Sequence, residues 1–238
     1  MRYLILLLVL PCLLCAQQSN DSIPVHLREV PRYNLMVETG VALPIGDYGN
    51  IALSGLSIAG SYDYYFNKRF AFTAAVKHLY NETAFENSGT GIPKNETLYA
   101  LTAGVLGSKT YNRFQIDVYG RTGIGFLDTR RGTFLNGNNE IFYTNENQSI
   151  TSVSTIFDAG VRFNYYFRRS VQVFFSPQYV TTIGSPLEYN ILGPAVSSQP
   201  QVARELVEYN LSNFIVSFGV KFSLGKRYSN GELRKDDF

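Results

Sequence analysis

From residue 34 onward the chain alternates apolar residues with small or polar ones, position by position. In NLMVETGVAL (34–43), Leu35, Val37, Thr39, Val41 and Leu43 fall on one side, and Met36, Glu38, Gly40 and Ala42 on the other. A period of two is the mark of a β-strand, whose successive side chains point to opposite faces. GLSIAGSYDYYF (55–66) separates Leu56, Ile58, Gly60, Tyr62, Tyr64 and Phe66 from Ser57, Ala59, Ser61, Asp63 and Tyr65. FAFTAAVKHLY (70–80) separates Phe70, Phe72, Ala74 and Val76 from Ala71, Thr73, Ala75 and Lys77. The pattern returns at 98–108, 113–126, 153–167, 171–180 and 213–224, which predicts eight strands. Pro177 lacks an N–H for the ladder and predicts a bulge in the seventh.

The spacers are uneven. Short connections at 67–69, 109–112 and 168–170 alternate with long ones at 81–97, 127–152 and 181–212, and the 44–54 connection is intermediate. Short turns at one rim, long loops at the other, an even strand count and one apolar face predict an all-β fold. It is an eight-stranded antiparallel transmembrane β-barrel with short periplasmic turns and long extracellular loops. Aromatics gather near the short-turn rim, at Tyr64–Phe66, Phe70, Phe72, Tyr111, Phe114 and Tyr165–Phe167. A soluble sandwich is the alternative, but its solvated face would rarely be as rich in Gly and Ala as AGS, TAAV, TAG and RTGIG. A narrow lumen wants such residues. One helix is expected, near 198–209, where Ser198 and Gln201 stand in capping-box spacing and Val202, Leu206 and Tyr209 share a face.

The N-terminus, MRYLILLLVLPCLLCAQQ, joins one positive charge, a short apolar run and Ala16, the layout of a secretory signal peptide cleaved after residue 16. A retained anchor and a lipoprotein acylated at Cys12 or Cys15 are the alternatives, although Pro11 and Leu14 precede those cysteines. The expected organisation is signal 1–16, periplasmic leader 17–32, barrel 33–224 and periplasmic tail 225–238. Twenty-one basic against nineteen acidic side chains give +2, no footprint for a nucleic-acid partner.

Eight charges fall on the small-residue face: Glu38, Asp63, Lys77, Asp117, Arg121, Asp158, Arg162 and Lys221. Four are acidic and four basic, so they predict a charge network inside the lumen, where only paired and hydrogen-bonded charges are tolerated. One antiparallel register of the fifth and sixth strands sets Asp117 opposite Arg162 and Arg121 opposite Asp158, and barrel closure brings Glu38 near Lys221 in height. No nucleophile, base and orienter assemble, His26 and His78 form no metal cluster, and the glycines of GRTGIG lie within a strand. No enzyme, cofactor or metal is expected.

The sequence resembles the small, porin-like outer-membrane β-barrel family of Bacteroidota-type Gram-negative bacteria, and is distantly similar to eight-stranded barrels of OmpA and OmpX type. The segments that carry the resemblance are the N-terminal signal, GVALPIGDYG (40–49), YYFN (64–67), YYFRR (165–169) and FGVKFSLG (218–225). It implies a cell outer-membrane location, with outer-membrane lipid, lipopolysaccharide and the outer-membrane assembly machinery as partners, and a monomeric state. Ser217, Gly219, Phe222 and Leu224 match the family's last-strand assembly signal, although fourteen residues follow Leu224. The expected role is structural or surface-binding through the polar extracellular loops, whose partner the sequence does not name. A narrow channel or transporter for ions or small solutes through the charged lumen is the alternative.

Overall fold

The computed structural model describes residues 30–83, 95–111, 113–128, 133–135, 141–143, 151–167, 170–184, 187–192, 203–229 and 232–234. The signal segment and residues 17–29 of the leader lie outside the described residues. Eight antiparallel strands form the wall: β1 (Val30–Pro44), β2 (Ala52–Tyr65), β3 (Phe70–Thr83), β4 (Asn95–Tyr111), β5 (Phe114–Asp128), β8 (Thr151–Tyr166), β9 (Val171–Ile183) and β12 (Ser212–Ser229). Each pairs with its sequence neighbour, and β1 pairs with β12 from Val30↔Tyr228 to Pro44↔Asn213, which closes the barrel. Closure removes both sheet edges.

The alternation sorts side chains as the period of two requires. In β5, Gln115, Asp117, Tyr119, Arg121 and Leu127 are buried inside, while Phe114, Val118, Ile124 and Phe126 lie outside. Around the whole wall the outer face carries large apolar residues, among them Val76, Leu101, Val105, Phe163 and Phe218. A continuous belt of this kind far exceeds the few hundred Å² of apolar patch that a water-soluble monomer carries, and it fits a hydrocarbon surround. Inside, the walls are polar at the middle and at the short-turn end. The protein is therefore a transmembrane barrel of the outer-membrane type, with short periplasmic turns.

The described parts of the two longest loops are mainly strands. β6 (Thr133–Leu135) and β7 (Ile141–Tyr143) come from one, and β10 (Leu187–Leu192) and β11 (Ala203–Tyr209) from the other. They join in a second, four-stranded sheet of order β11-β10-β7-β6. The helix expected over 198–209 is absent from its described part, because residues 203–209 are extended and pair with β10 from Leu187↔Tyr209. A neighbouring strand supplies backbone partners that an isolated capping box cannot match; residues 198–202 lie outside the described residues.

The expected bulge at Pro177 is also corrected. The β9–β12 register passes through Val216↔Pro177 without a shift, and the β8–β9 register is the same on both sides of it. The Ser176 hydroxyl donates to the Val161 carbonyl at 3.1 Å, so a side chain bridges β8 and β9 beside the proline that cannot donate. Real irregularities lie at Pro31/Tyr33 in β1 and Ala52/Gly55 in β2. β12 runs to Ser229, and β13 (Glu232–Arg234) folds back on it at the short-turn rim.

Two outcomes test this architecture. Detergent-folded protein should show a strand-dominated spectrum and heat-modifiable migration, and a water-soluble monomer of the same fold would contradict it. Val76→Arg, on the outer belt, should cost about 2–4 kcal/mol in lipid refolding titrations if that position lies near the bilayer midplane. Asp47→Arg on a loop should cost far less.

Candidate functional site

The lumen is built in three levels. Nearest the short-turn rim, the Asp117 carboxylate gathers donors from four strands: Ser108 Oγ at 2.7 Å, Gln115 Nε2 at 2.7 Å, Asn164 Nδ2 at 2.9 Å and Lys221 Nζ at 2.9 Å. Gln115 in turn accepts from the Tyr166 hydroxyl at 2.6 Å and donates to Tyr65 at 2.9 Å. A carboxylate offers about four acceptor sites, and this one is filled.

At the middle level, Arg162 Nη1 meets Asp63 Oδ2 at 2.9 Å across the lumen, and Met36 Sδ at 3.0 Å. The Tyr119 ring lies between two guanidiniums, 4.3 Å from Arg121 and 4.5 Å from Arg162 by ring centroid. Its π-face lets like charges share one space. Just above, Asp158 Oδ2 takes both Arg121 Nη2 at 2.7 Å and Lys77 Nζ at 3.1 Å.

Glu38 has a different environment. Its Oε2 accepts from Gln178 Nε2 at 3.0 Å and Ser217 Oγ at 2.8 Å. The other end of the same Gln178 amide accepts from Lys77 Nζ at 2.7 Å. Lys77 and Glu38 are therefore linked through one oriented amide, and the carboxylate is stabilised without direct contact with a cation.

Above these charges, the third level is mainly apolar, with the buried Glu96 and an Asn81-to-Asn213 hydrogen bond of 3.2 Å set among it. Leu79, Leu98, Leu127, Ile156, Val180, Leu211 and Ile215 converge from the wall. The β1–β2 connection folds into them: its 3-10 turn, Gly46–Asn50, buries Tyr48, and the following Ile51 is buried as well. The Tyr48 hydroxyl donates to Glu96 Oε2 at 2.6 Å. Gly125 makes room here, since a Cβ would stand 2.6 Å from the Ile156 side chain and 2.8 Å from Leu98. The extracellular half of the lumen is thus stoppered by side chains.

All eight charges named from the sequence are buried in the lumen. The register sets Asp117 opposite Arg162 and Arg121 opposite Asp158, and the second couple forms an ion pair. Asp117 and Arg162 pair elsewhere, with Lys221 and Asp63. Directly opposed side chains can pair, as Arg121 and Asp158 do, so the exchange at Asp117 and Arg162 reflects the partners that β12 and β2 bring across the lumen. Glu38 stands opposite Gly219, two residues from the Lys221 rung at Met36. Of the last-strand residues, Ser217 and Gly219 face the lumen, and Phe222 and Leu224 the exterior. A Cβ at Gly219 would collide with the Phe174 ring and the Val37 carbonyl.

Sequence reasoning passed over Gln178, Asn164 and Ser108, although their parity within each strand already placed them on the inner face, and over Glu96, which fell in the 81–97 connection and became inward-facing because β4 begins at Asn95. Tyr48 had a weaker signal, as the single aromatic residue in a polar turn, GDYGN. Among the described residues, no group of three His, Cys, Asp or Glu could hold a metal ion.

Double-mutant cycles should read out this wiring. Asp158→Ala strands two buried cations and should cost about 3–5 kcal/mol of folding stability, part of which Lys77→Met should return. The coupling of Asp117 to Lys221 should exceed that of Asp117 to Arg162. Equal couplings would refute the observed pairing.

No family model matches the chain, and no curated protein matches it. Among solved structures, it is similar to Neisserial surface protein A, at 12% identity over 81% of this chain and 97% of that one, with a TM-score of 0.49. The outer membrane protein OprG of Pseudomonas aeruginosa is similar at 15% identity over 83% and 99%, with a TM-score of 0.45. Ail, the attachment invasion locus protein of Yersinia pestis, is similar at 15% identity over 81% and 99%, with a TM-score of 0.40. The fold and lumen described above rest on this chain's own register and burial.

Proposed function

We propose that the protein is a non-enzymatic outer-membrane barrel with a structural or surface-binding role, in which the lumen holds the wall together and the extracellular loops make the contacts. The observation that carries this reading is the stopper. Tyr48, Ile51 and the wall residues Leu79, Leu98, Leu127 and Ile156 close the extracellular half of the lumen. Below them, four acidic and four basic groups are held in three hydrogen-bonded clusters, around Asp117, Asp63 and Asp158. An eight-stranded barrel has room for little else. The long loops, by contrast, support their own sheet outside the wall.

The segments GVALPIGDYG, YYFN and YYFRR support placing the protein with the porin-like barrels of Bacteroidota-type bacteria. Ser217, Gly219, Phe222 and Leu224 are the residues through which the assembly machinery would read β12, and lipopolysaccharide is the lipid that would meet the loop-side rim. A narrow conduit for ions or small solutes is the competing reading. It is favoured by buried polar atoms of Asn34, Asp63 and Thr73 that lack a protein partner and could hold water.

Planar-bilayer recording of refolded protein decides between the two. Wild type should be silent, and Tyr48→Ala with Ile51→Ala should stay silent, because the ion-paired side chains below still fill the lumen. Reproducible unitary conductance in wild type, altered by Arg121→Gln, would overturn the structural reading.

A further inference from the structure

Charge on the outer surface is segregated by height. Among the described side chains, every exposed or half-exposed Lys and Arg lies at the short-turn rim: Arg32, Lys68, Arg69, Lys109 and Arg113. Among the same described side chains, the exposed carboxylates, Asp47, Glu82 and Asp128, lie at the long-loop rim.

Three of the cations share one construction. Parity would send Arg32 into the lumen with Asn34, but the irregularity at Pro31/Tyr33 breaks the alternation. A bulge re-aims a side chain in this way. The Arg32 guanidinium stands 5.6 Å from the Tyr33 ring and 5.2 Å from the Tyr64 ring, and it donates to the Tyr64 hydroxyl. Lys109 Nζ lies 4.9 Å over the Tyr111 ring. Arg113 Nη1 donates to the Tyr165 hydroxyl at 3.2 Å. These tyrosines share strand parity with lipid-facing neighbours such as Leu35, Phe66, Val105 and Phe163. Each pair therefore holds a cation where the apolar belt gives way to polar headgroups.

We propose that the short-turn rim is a collar for anionic glycerophospholipids, with Arg32, Lys109 and Arg113 each taking a headgroup phosphate beside its tyrosine. Tyrosine packs its ring against the upper acyl chain and keeps its hydroxyl at the interface. The guanidinium or ammonium supplies the charge-assisted donors that a phosphate diester accepts. Among the side chains whose burial is described, no exposed carboxylate of this rim opposes the anion. The described exposed side chains of the long-loop rim offer no cation beside a tyrosine, so this collar is confined to one rim.

The test is lipid enrichment. The full chain is refolded into nanodiscs of mixed phosphatidylcholine and phosphatidylglycerol, and the lipids retained after detergent extraction are counted by native mass spectrometry. Wild type should retain phosphatidylglycerol above its bulk share. Arg32→Gln, Lys109→Gln and Arg113→Gln should each weaken one site about fivefold and so lower the total enrichment by roughly a third, the triple Gln variant should bring retention to the bulk ratio, and Arg32→Lys should keep most of the enrichment. Asp47→Asn and Glu82→Gln should leave it unchanged. Wild-type retention in the bulk ratio, or enrichment that survives the triple Gln variant, would overturn the proposal. The inference rests on the transmembrane reading and not on the loops. Failure to insert, read by heat-modifiable migration, would count against that reading, whereas insertion without enrichment would count against the collar alone.

Discussion

A closed wall of eight strands leaves an interior that has to be filled, and everything else in this protein follows from how the filling is done. The lumen is too narrow for bulk water and too polar to be a hydrocarbon core. Its charges must cancel and its donors must find acceptors, since an unpaired buried ion is costly. Asp117, Asp63 and Asp158 each have a cationic partner, and Asp158 has two. Glu38 is held by neutral donors, with Gln178 connecting it to the ammonium of Lys77. The outer face faces the opposite solvent and is correspondingly simple, with large aliphatic and aromatic residues at most outward positions.

Period-two alternation carried most of the fold, because in a barrel one pattern decides both strand and face. Glu38, Lys77 and Lys221 could be placed inside from parity alone. Pairings were less legible. The register of β5 and β8 followed from sequence arithmetic, yet Asp117 and Arg162 reach Lys221 on β12 and Asp63 on β2, strands whose relation depends on closure of the whole ring. Local sequence has no access to a distance across the lumen.

The loops show the same limit in another form. A capping-box spacing near Ser198 suggested a helix, but β11 pairs with β10, and β10 with β7 from a different loop. That outcome depends on two loops meeting in space. The inward turn around Tyr48 is similar: GDYGN reads as a surface connection until the apolar pocket of Leu79, Leu98 and Ile156 is available to receive the ring.

The links across the lumen have a kinetic meaning. Arg162 to Asp63 spans 99 positions in sequence, Lys221 to Asp117 spans 104, and Gln178 to Glu38 spans 140. Neighbouring strands can zip one after another, each gaining its ladder as it arrives, but none of these struts forms until the ring has closed. They reward the finished barrel and give little to a partly assembled sheet. Interactions of high sequence separation that are absent until late act mainly on the rate of opening. The charged lumen therefore works as a latch: once β1 has met β12, the wall comes apart only by giving up several ion pairs together.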